Sequence, residues 1–320
     1  MKKLTNTMAI LFAAAVMVMI MAVPAFADTG NGYYVVGTPV QYNTSDTIKV
    51  KVVIQSRGYS SSNNASIGKI VNVSLTGNTS YTVRDVMLKF NTLYASTGVK
   101  ACDNNGNDLS SSATTVQAFL NSTGLYKYLF FADIGNGEGI IPVDGWMFRV
   151  NGQNPLISLD GYNGGPKGAL IHETPVANGD VITFFFNLPF TINNTNFSTK
   201  FVAANTSYSS GVLSTQLQFS RDNHYNSQGQ WETIPYSNYA PGSTVTATLY
   251  NSNLSSLGTF DISSTGSGSL NITLSSGIYY LYVPVRTWKT IYGYDSFSGN
   301  TTTSCRCLDT TFVFDRIVVQ

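Results

Sequence analysis

Few side chains in this chain are equipped for chemistry, and their spacing decides which reactions they could support. Only two histidines occur: His172 beside Glu173 in a Gly-rich stretch, and His224 within Asp222-Asn223-His224-Tyr225. A serine nucleophile would need one of them as base and a strained elbow of the Gly-x-Ser-x-Gly kind, which does not occur. Neither histidine has a second one at a spacing that would close around a metal ion. Glycoside hydrolysis needs two converging carboxylates. Asp133, Glu138, Asp144, Asp160 and Glu173 all fall in turn-like sequence, where a solvated side chain is the ordinary expectation. Cys102, Cys305 and Cys307 make an odd count, which in an exported chain predicts one bridge plus a free thiol, or pairing between molecules. A bridge from Cys102 to either of the other two is one such arrangement. Cys305-Arg306-Cys307 lacks the two further soft ligands that zinc would require. Asp103 to Asp108 alternates oxygen ligands as a calcium loop does, but Asp108 stands where glycine is needed and Thr114 where glutamate closes the site. Gly135-Asn136-Gly137-Glu138-Gly139 is followed by neither helix nor lysine, so it does not cradle phosphate. The expectation is a non-catalytic protein without metal or cofactor.

The aromatic residues carry more information. Trp146 and Phe148 flank Met147 on one alternating run, so they share a face and Met147 takes the other. Two readings stand. These residues fill a core against a helix through Met87 and Phe90, or they form a platform on which a flat ligand or sugar ring stacks. In the second reading Trp146, Phe148, Asn151, Asn154 and Tyr162 are the ligand-binding candidates. A further cluster, Tyr225, Trp231, Tyr236 and Tyr239, lies between the two halves of the sequence and reads as a groove or an interface.

The elements that would position these residues are mostly strands. Ile48 to Ile54 and Lys69 to Leu75 are β-branched and alternating, and the Ser/Asn-rich tip between them completes a hairpin. Thr82 to Tyr94 is the clearest helix. Val83, Val86, Met87, Phe90 and Leu93 or Tyr94 recur on one stripe, Ser80 or Thr82 caps it, and Asp85 sits near its positive end. A short segment from Thr114 to Leu120 reads as a second helix. Strands follow at Tyr126 to Ile134, Trp146 to Val150 and Val181 to Phe186. From Lys200 onward only strands and turns are expected, best at Thr244 to Leu249, Ser269 to Leu274, Tyr279 to Val285 and Thr311 to Val319.

The chain has 320 residues, with 18 Lys+Arg against 17 Asp+Glu and 11% charged residues, so it has no clustered basic surface for nucleic acid. Lys2 and Lys3 precede the apolar run Ala9 to Met21, and Pro24-Ala25-Phe26-Ala27 supplies small-x-small cleavage chemistry before Asp28. Residues 1–27 therefore read as a signal peptide too short in its apolar core to span a membrane, predicting release or non-covalent retention at the surface. Residues 28–44 read as an exposed lead-in. Sites of the type Asn-x-Ser/Thr, such as Asn72-Val73-Ser74, become open to modification on export, although a leader of this bacterial type predicts that they stay bare.

Asp144-Gly145-Trp146-Met147-Phe148-Arg149-Val150-Asn151-Gly152, and after an insertion Ala177-Asn178-Gly179-Asp180-Val181-Ile182, resemble the transcobalamin-like C-terminal domain family of secreted bacterial proteins. The hairpin and the Tyr81-Thr82-Val83-Arg84-Asp85 helix start precede them in the family's order. The resemblance covers about Ser45 to Pro189. It implies a β-grasp-like domain over residues 45–190, one helix across a mixed sheet, and a corrinoid such as cobalamin as ligand. The helical partner domain of the animal cobalamin carriers is missing, and the insertion at Asn154 to Thr174 is longer than the usual linker. Residues 191–320 loosely resemble transthyretin-like β-sandwiches, some of which carry an internal amide bond; Lys289 with Asp315 would be the pair. The fold expected is thus mainly β with a small α+β domain. The function expected is a secreted or cell-surface binding protein for a corrinoid, another ring-shaped ligand or a glycan. The alternative is a structural, adhesion or assembly protein whose domains act as spacers and contact other surface proteins.

Overall fold

The computed structural model describes residues 33–57, 66–97, 99–102, 108–114, 118–120, 145–158, 167–187, 190–192, 195–197, 200–225, 231–235, 244–284, 291–292, 304–305 and 312–320. The leader, the Tyr126 to Ile134 strand, Asp133, Glu138, Asp144, Asp160, Tyr162, Tyr236, Tyr239, Lys289 and Cys307 lie outside the described residues.

A short strand, Tyr33–Val35 (β1), precedes the hairpin of Ile48–Arg57 (β2) and Ser66–Leu75 (β3), which pair antiparallel over their whole length. The helix Val83–Tyr94 (α1) starts at Thr82, where the Asp85 carboxylate reaches back to accept from both the Thr82 N–H and Oγ1, each at 2.8 Å. That box offsets the unpaired donors at a helix start and places negative charge at the positive end of the dipole. Its apolar stripe is the one expected: Val83, Val86, Met87 and Phe90 are buried, whereas Leu93 is exposed. Tyr94 completes the stripe instead, its ring centroid 5.1 Å from that of Phe90 and its hydroxyl donating to Asn72 O.

Lys100–Cys102 (β4) and Ala118–Leu120 (β5) pair antiparallel. The expected second helix thus gives way to a strand over Ala118–Leu120, because backbone pairing with β4 outweighs a weak helical stripe. Cys102 is buried and packs as a small apolar residue of the core, while Cys307 and the Cys305 side chain lie outside the described residues. Gly145–Val150 (β6) and Asn154–Ser158 (β7) are joined by a two-residue turn with φ of 51° at Asn151 and 79° at Gly152. Positive φ at both positions is the geometry Asn-Gly favours between twisted strands. Lys167–Gly168 (β8) and Val181–Asn187 (β9) complete this half.

The main sheet runs β3-β2-β9-β6, with β2 and β9 parallel and both outer pairs antiparallel. Ile48, Val50, Val52, Ile54, Ile182 and Phe184 point to α1 and form one core with its stripe. A second small sheet, β1-β7-β8, has β1 parallel to β7. This corrects the exposed lead-in: Tyr34 is only 1% exposed, and Tyr42 N donates to Thr79 O. An aromatic, β-branched run such as Tyr33-Tyr34-Val35-Val36 gains more from pairing than from solvent.

The remaining strands are Phe190–Ile192 (β10), Thr195–Phe197 (β11), Lys200–Ser209 (β12), Val212–Tyr225 (β13), Trp231–Pro235 (β14), Val245–Tyr250 (β15), Ser256–Ile262 (β16), Ser267–Asn271 (β17), Gly277–Pro284 (β18), Ile291–Tyr292 (β19), Ser304–Cys305 (β20) and Phe312–Val319 (β21). Two sheets dominate here, β16-β15-β18-β21 and β12-β13-β14 with β17 also on β13. Leu213 and Leu217 from one meet Ala247, Leu249, Leu281, Val283, Val313 and Val319 from the other in a second core. The fold is therefore mainly β.

The β16-β15-β18-β21 sheet is apolar on both faces. Alternation sends Leu281, Val283, Val313 and Ile317 to the second core, and Tyr280, Phe312 and Phe314 the other way. Those three pack against Val53 and Val181, which lie on the face of the β3-β2-β9-β6 sheet opposite the helix. The described elements thus stack as helix, sheet, sheet, sheet. A third core welds the two halves, its five buried apolar side chains each worth about 2 kcal/mol by area removed from water.

Candidate functional site

The best-defined polar constellation lies where the two halves meet. It grows from the turn before β9. Gly179, at φ +86°, takes the left-handed conformation, and a Cβ there would run into Ile278 Cδ1 of β18. Glycine is required twice over, for the backbone and for the approach of the second half. Asp180 follows it, with its side chain fully enclosed. Its Oδ1 accepts from Arg316 Nη1 at 2.7 Å and Asn151 Nδ2 at 2.9 Å, and its Oδ2 accepts from the Ala177 N–H at 2.7 Å. Burial pushes the Asp180 carboxyl above the usual carboxylate range, while Arg316, Asn151 and the Ala177 N–H each hold it down. Arg316 is a β21 residue on the face that carries Phe312 and Phe314, so a buried ion pair bridges the halves.

Two further contacts reinforce the joint. Tyr280 donates its hydroxyl to Gly179 O at 2.9 Å, and burial raises its pKa to about 12. Lys51, on the outer face of β2, lies almost wholly inside the protein. Its Nζ donates to Ser252 O at 2.7 Å and sits 4.9 Å above the Tyr280 ring, a cation–π contact. Burial, helped by the charge of Lys49, lowers its pKa to about 8. Beside this, Asp315 points the other way along β21 and accepts from the Ala204 N–H at 3.2 Å of β12. Burial pushes its carboxyl up to about 6, against the pull of that N–H and of Arg149.

Of the ligand-binding candidates, Phe148, Asn151 and Asn154 have described side chains. Phe148 packs half-buried against the helix-side core, its ring 5.9 Å from that of Phe184. Trp146 pairs with Phe186 in the backbone register, and its side chain lies outside the described residues, as does all of Tyr162. Asn151 is spent on the joint: besides Asp180, it accepts from Val181 N through Oδ1 at 2.9 Å. Asn154 is buried and accepts from Arg149 Nε at 3.1 Å, with the Arg149 guanidinium over the Phe185 ring. The structure thus gathers Phe148, Asn151 and Asn154 around one turn, with both amides bonded inside the protein.

Arg316, Lys51 and Tyr280 were not read from the sequence as site residues, and Asp180 entered only as part of the Ala177–Ile182 resemblance. Signals for them exist: one arginine in the apolar run Phe312–Val319, two lysines, Lys49 and Lys51, alternating with the valines of β2, and an aspartate opening an apolar strand. Elsewhere, His172 is exposed with Nδ1 3.3 Å from Thr114 O, and Glu173 caps the Leu170 N–H. Asp108, the last residue of the calcium-like stretch, forms an ion pair with Lys100. Among the described residues no group of three His, Cys, Asp or Glu could hold a metal ion, and no helix is long and apolar enough to cross a membrane.

A shallow groove of about 560 Å³ crosses the outer face of β12, β13 and β17. It is uncharged, with Asn205, Gln216 and Ser267 in one cross-strand row and Ser207, Ser214 and Ser269 in the next. Comparison with protein-family models, curated proteins and solved structures finds no match to this chain.

Proposed function

We propose that this is an exported, non-catalytic surface protein whose two halves act as one rigid structural unit, a spacer or assembly module. The observation that carries this reading is the joint: the enclosed Asp180–Arg316 pair, the Tyr280 to Gly179 hydrogen bond and the buried Lys51 seal the halves together. Modules that must reorient around a ligand keep polar, modest interfaces; a welded one with a two-faced apolar sheet suits transmission of shape and load. Export rests on the leader read from residues 1–27. The second half is read as a β-sandwich, supported by the core shared between its two sheets.

A second reading has its own support. The order β3-β2-β9-β6, its central strands parallel and a helix across one face, fits a β-grasp-like module of the transcobalamin-like kind. Corrinoid capture would then use the Trp146 strand, with Asn151 and Asn154 supporting the turn rather than touching the ligand. The experiment is titration calorimetry of residues 28–320 with cobalamin and cobinamide, beside light scattering over a range of concentrations. Concentration-dependent assembly without corrinoid heat supports the structural reading. A monomer with saturable corrinoid heat, weakened in Trp146→Ala, overturns it.

A further inference from the structure

Eleven Asn-x-Ser/Thr sequences with x other than proline occur in the chain. Six of their asparagines, Asn43, Asn72, Asn78, Asn205, Asn253 and Asn271, have described side chains, and all six are exposed. Asparagines outside such sequences sort differently. Asn91, Asn151, Asn154 and Asn251 are buried or half-buried, and Asn178 alone is exposed. These five also have structural employment. Asn91 brackets Ala101 through its N–H and its carbonyl, Asn178 accepts from Lys49 N, and Asn251 accepts from Asn253 N and Ser255 N. Asn151 and Asn154 hold the turn described above. Of the six exposed asparagines, only Asn43 has its amide engaged among the described residues, on Asp46. Among the described residues, and apart from Asn43, asparagines that the fold uses are thus kept out of the acceptor sequence, and those within it are presented to solvent.

We propose that these exposed sequences are N-glycosylation sites, and that the mature protein carries glycans on them. The inference rests on export and is independent of the structural or corrinoid reading; it departs from the bare sites expected of the leader type because the described acceptor asparagines are all exposed. In the reaction the asparagine Nδ2 bonds to the anomeric carbon of a glycan held on a lipid-carrier phosphate or diphosphate. The carbon–oxygen bond to that phosphate breaks, the phosphate leaves with the electron pair, and the Nδ2 proton passes to a base of the transferring enzyme. The hydroxyl residue two places on must be offered together with the asparagine. Strand alternation does this for Asn72 with Ser74 and for Asn205 with Ser207, all four exposed.

The placement gives the glycans work. Asn205 and Asn271 lie on the outer face that carries the uncharged groove, Asn205 in its first row and Asn271 one row beyond its second. A hydroxyl-rich, uncharged face is then a bed for the protein's own sugars. Asn72 lies on β3, an edge strand of the main sheet, where a glycan would block pairing with another chain. Asn43 and Asn78 stand in facing turns, joined by Tyr42 N to Thr79 O and Gly77 N to Thr44 O.

The test is intact-mass and glycopeptide mass spectrometry of the full protein isolated from its own cells. The expected result is sugar mass on the exposed acceptor asparagines and none on Asn91, Asn151, Asn154, Asn178 or Asn251. In Ser74→Ala and Ser207→Ala variants, which leave each asparagine and the core in place, the sugar at Asn72 and at Asn205 should disappear. A chain whose mass is that of bare polypeptide overturns the proposal, and an N-terminus at Asp28 on that bare chain shows that export is not at fault. Sugar on the five structural asparagines, or sugar at Asn72 that survives Ser74→Ala, overturns it equally.

Discussion

Replacing Arg316 by methionine removes one partner of the ion pair between the halves and leaves the other enclosed. Breaking a buried pair from one side costs about 3–5 kcal/mol, because the remaining charge is desolvated without compensation. Two donors stay on Asp180, Asn151 Nδ2 and the Ala177 N–H, so the lower end, about 3 kcal/mol, is expected. The deficit should depend on pH, and the direction follows from linkage. The Asp180 carboxyl is already raised in the folded protein, so its favourable contribution is complete below the unfolded value of about 3.9 and is lost as pH rises through the folded one. Loss of Arg316 removes the largest influence holding that carboxyl down and moves the folded value further up. Arg316→Met should therefore differ little from the parent near pH 4 and fall about 3 kcal/mol behind by pH 8. Urea unfolding followed by circular dichroism at pH 4.5 and pH 8 reads this directly. Addition of Asp180→Asn should recover much of the loss at pH 8, since a neutral amide is less costly to bury. A deficit under about 1 kcal/mol at pH 8, or one equal at both pH values, would show that the pair does not seal the joint.

Three other perturbations probe the same region. Gly179→Ala should cost about 2 kcal/mol or more by chemical denaturation, from the left-handed backbone and the collision with Ile278, and Ile278→Ala should make the second change cheaper in its presence; additivity of the two would exclude the collision. Lys51 has a folded pKa of about 8 against 10.5 unfolded, so the unfolded chain holds the extra proton between them and stability rises with pH across that window. Lys51→Met should remove this rise, measured as the parent-minus-variant difference from pH 7.5 to 10.5, and an unchanged slope would refute the burial of its charge. Asp315, raised to about 6, has the opposite sign of slope: its contribution is present below about pH 4 and lost as pH rises through 6. Asp315→Asn should raise stability at pH 7.5 by about 2 kcal/mol, allowing for the residue's partial exposure, and change it little at pH 4; a loss at pH 7.5 would mean that the Ala204 N–H needs a charged acceptor.

Local pattern sufficed for much of the chain. The alternation of Ile48-Lys49-Val50-Lys51-Val52 specified a hairpin strand, and the Val83, Val86, Met87, Phe90 stripe behind Thr82 specified the helix. Asn151-Gly152 specified a two-residue turn, since only residues tolerant of positive φ sit there comfortably. These are decided within a few residues, by sterics and by which side must leave water. Pattern failed where pairing partners are distant: Ala118–Leu120 became a strand because β4 was available, and Tyr34 left solvent because β7 lay alongside.

The joint shows the same division. Alternation in Tyr279-Tyr280-Leu281-Tyr282-Val283 says that a strand has two apolar faces, but not what covers each. Asp180 and Arg316 stand 136 positions apart, and neither carries a mark of its partner. A side chain's period along a strand is a local property, legible in sequence, whereas the cover on that face depends on how sheets stack to exclude water. That stacking turned Lys51, Asp180, Tyr280 and Arg316 from ordinary strand and turn residues into the clamp between the halves.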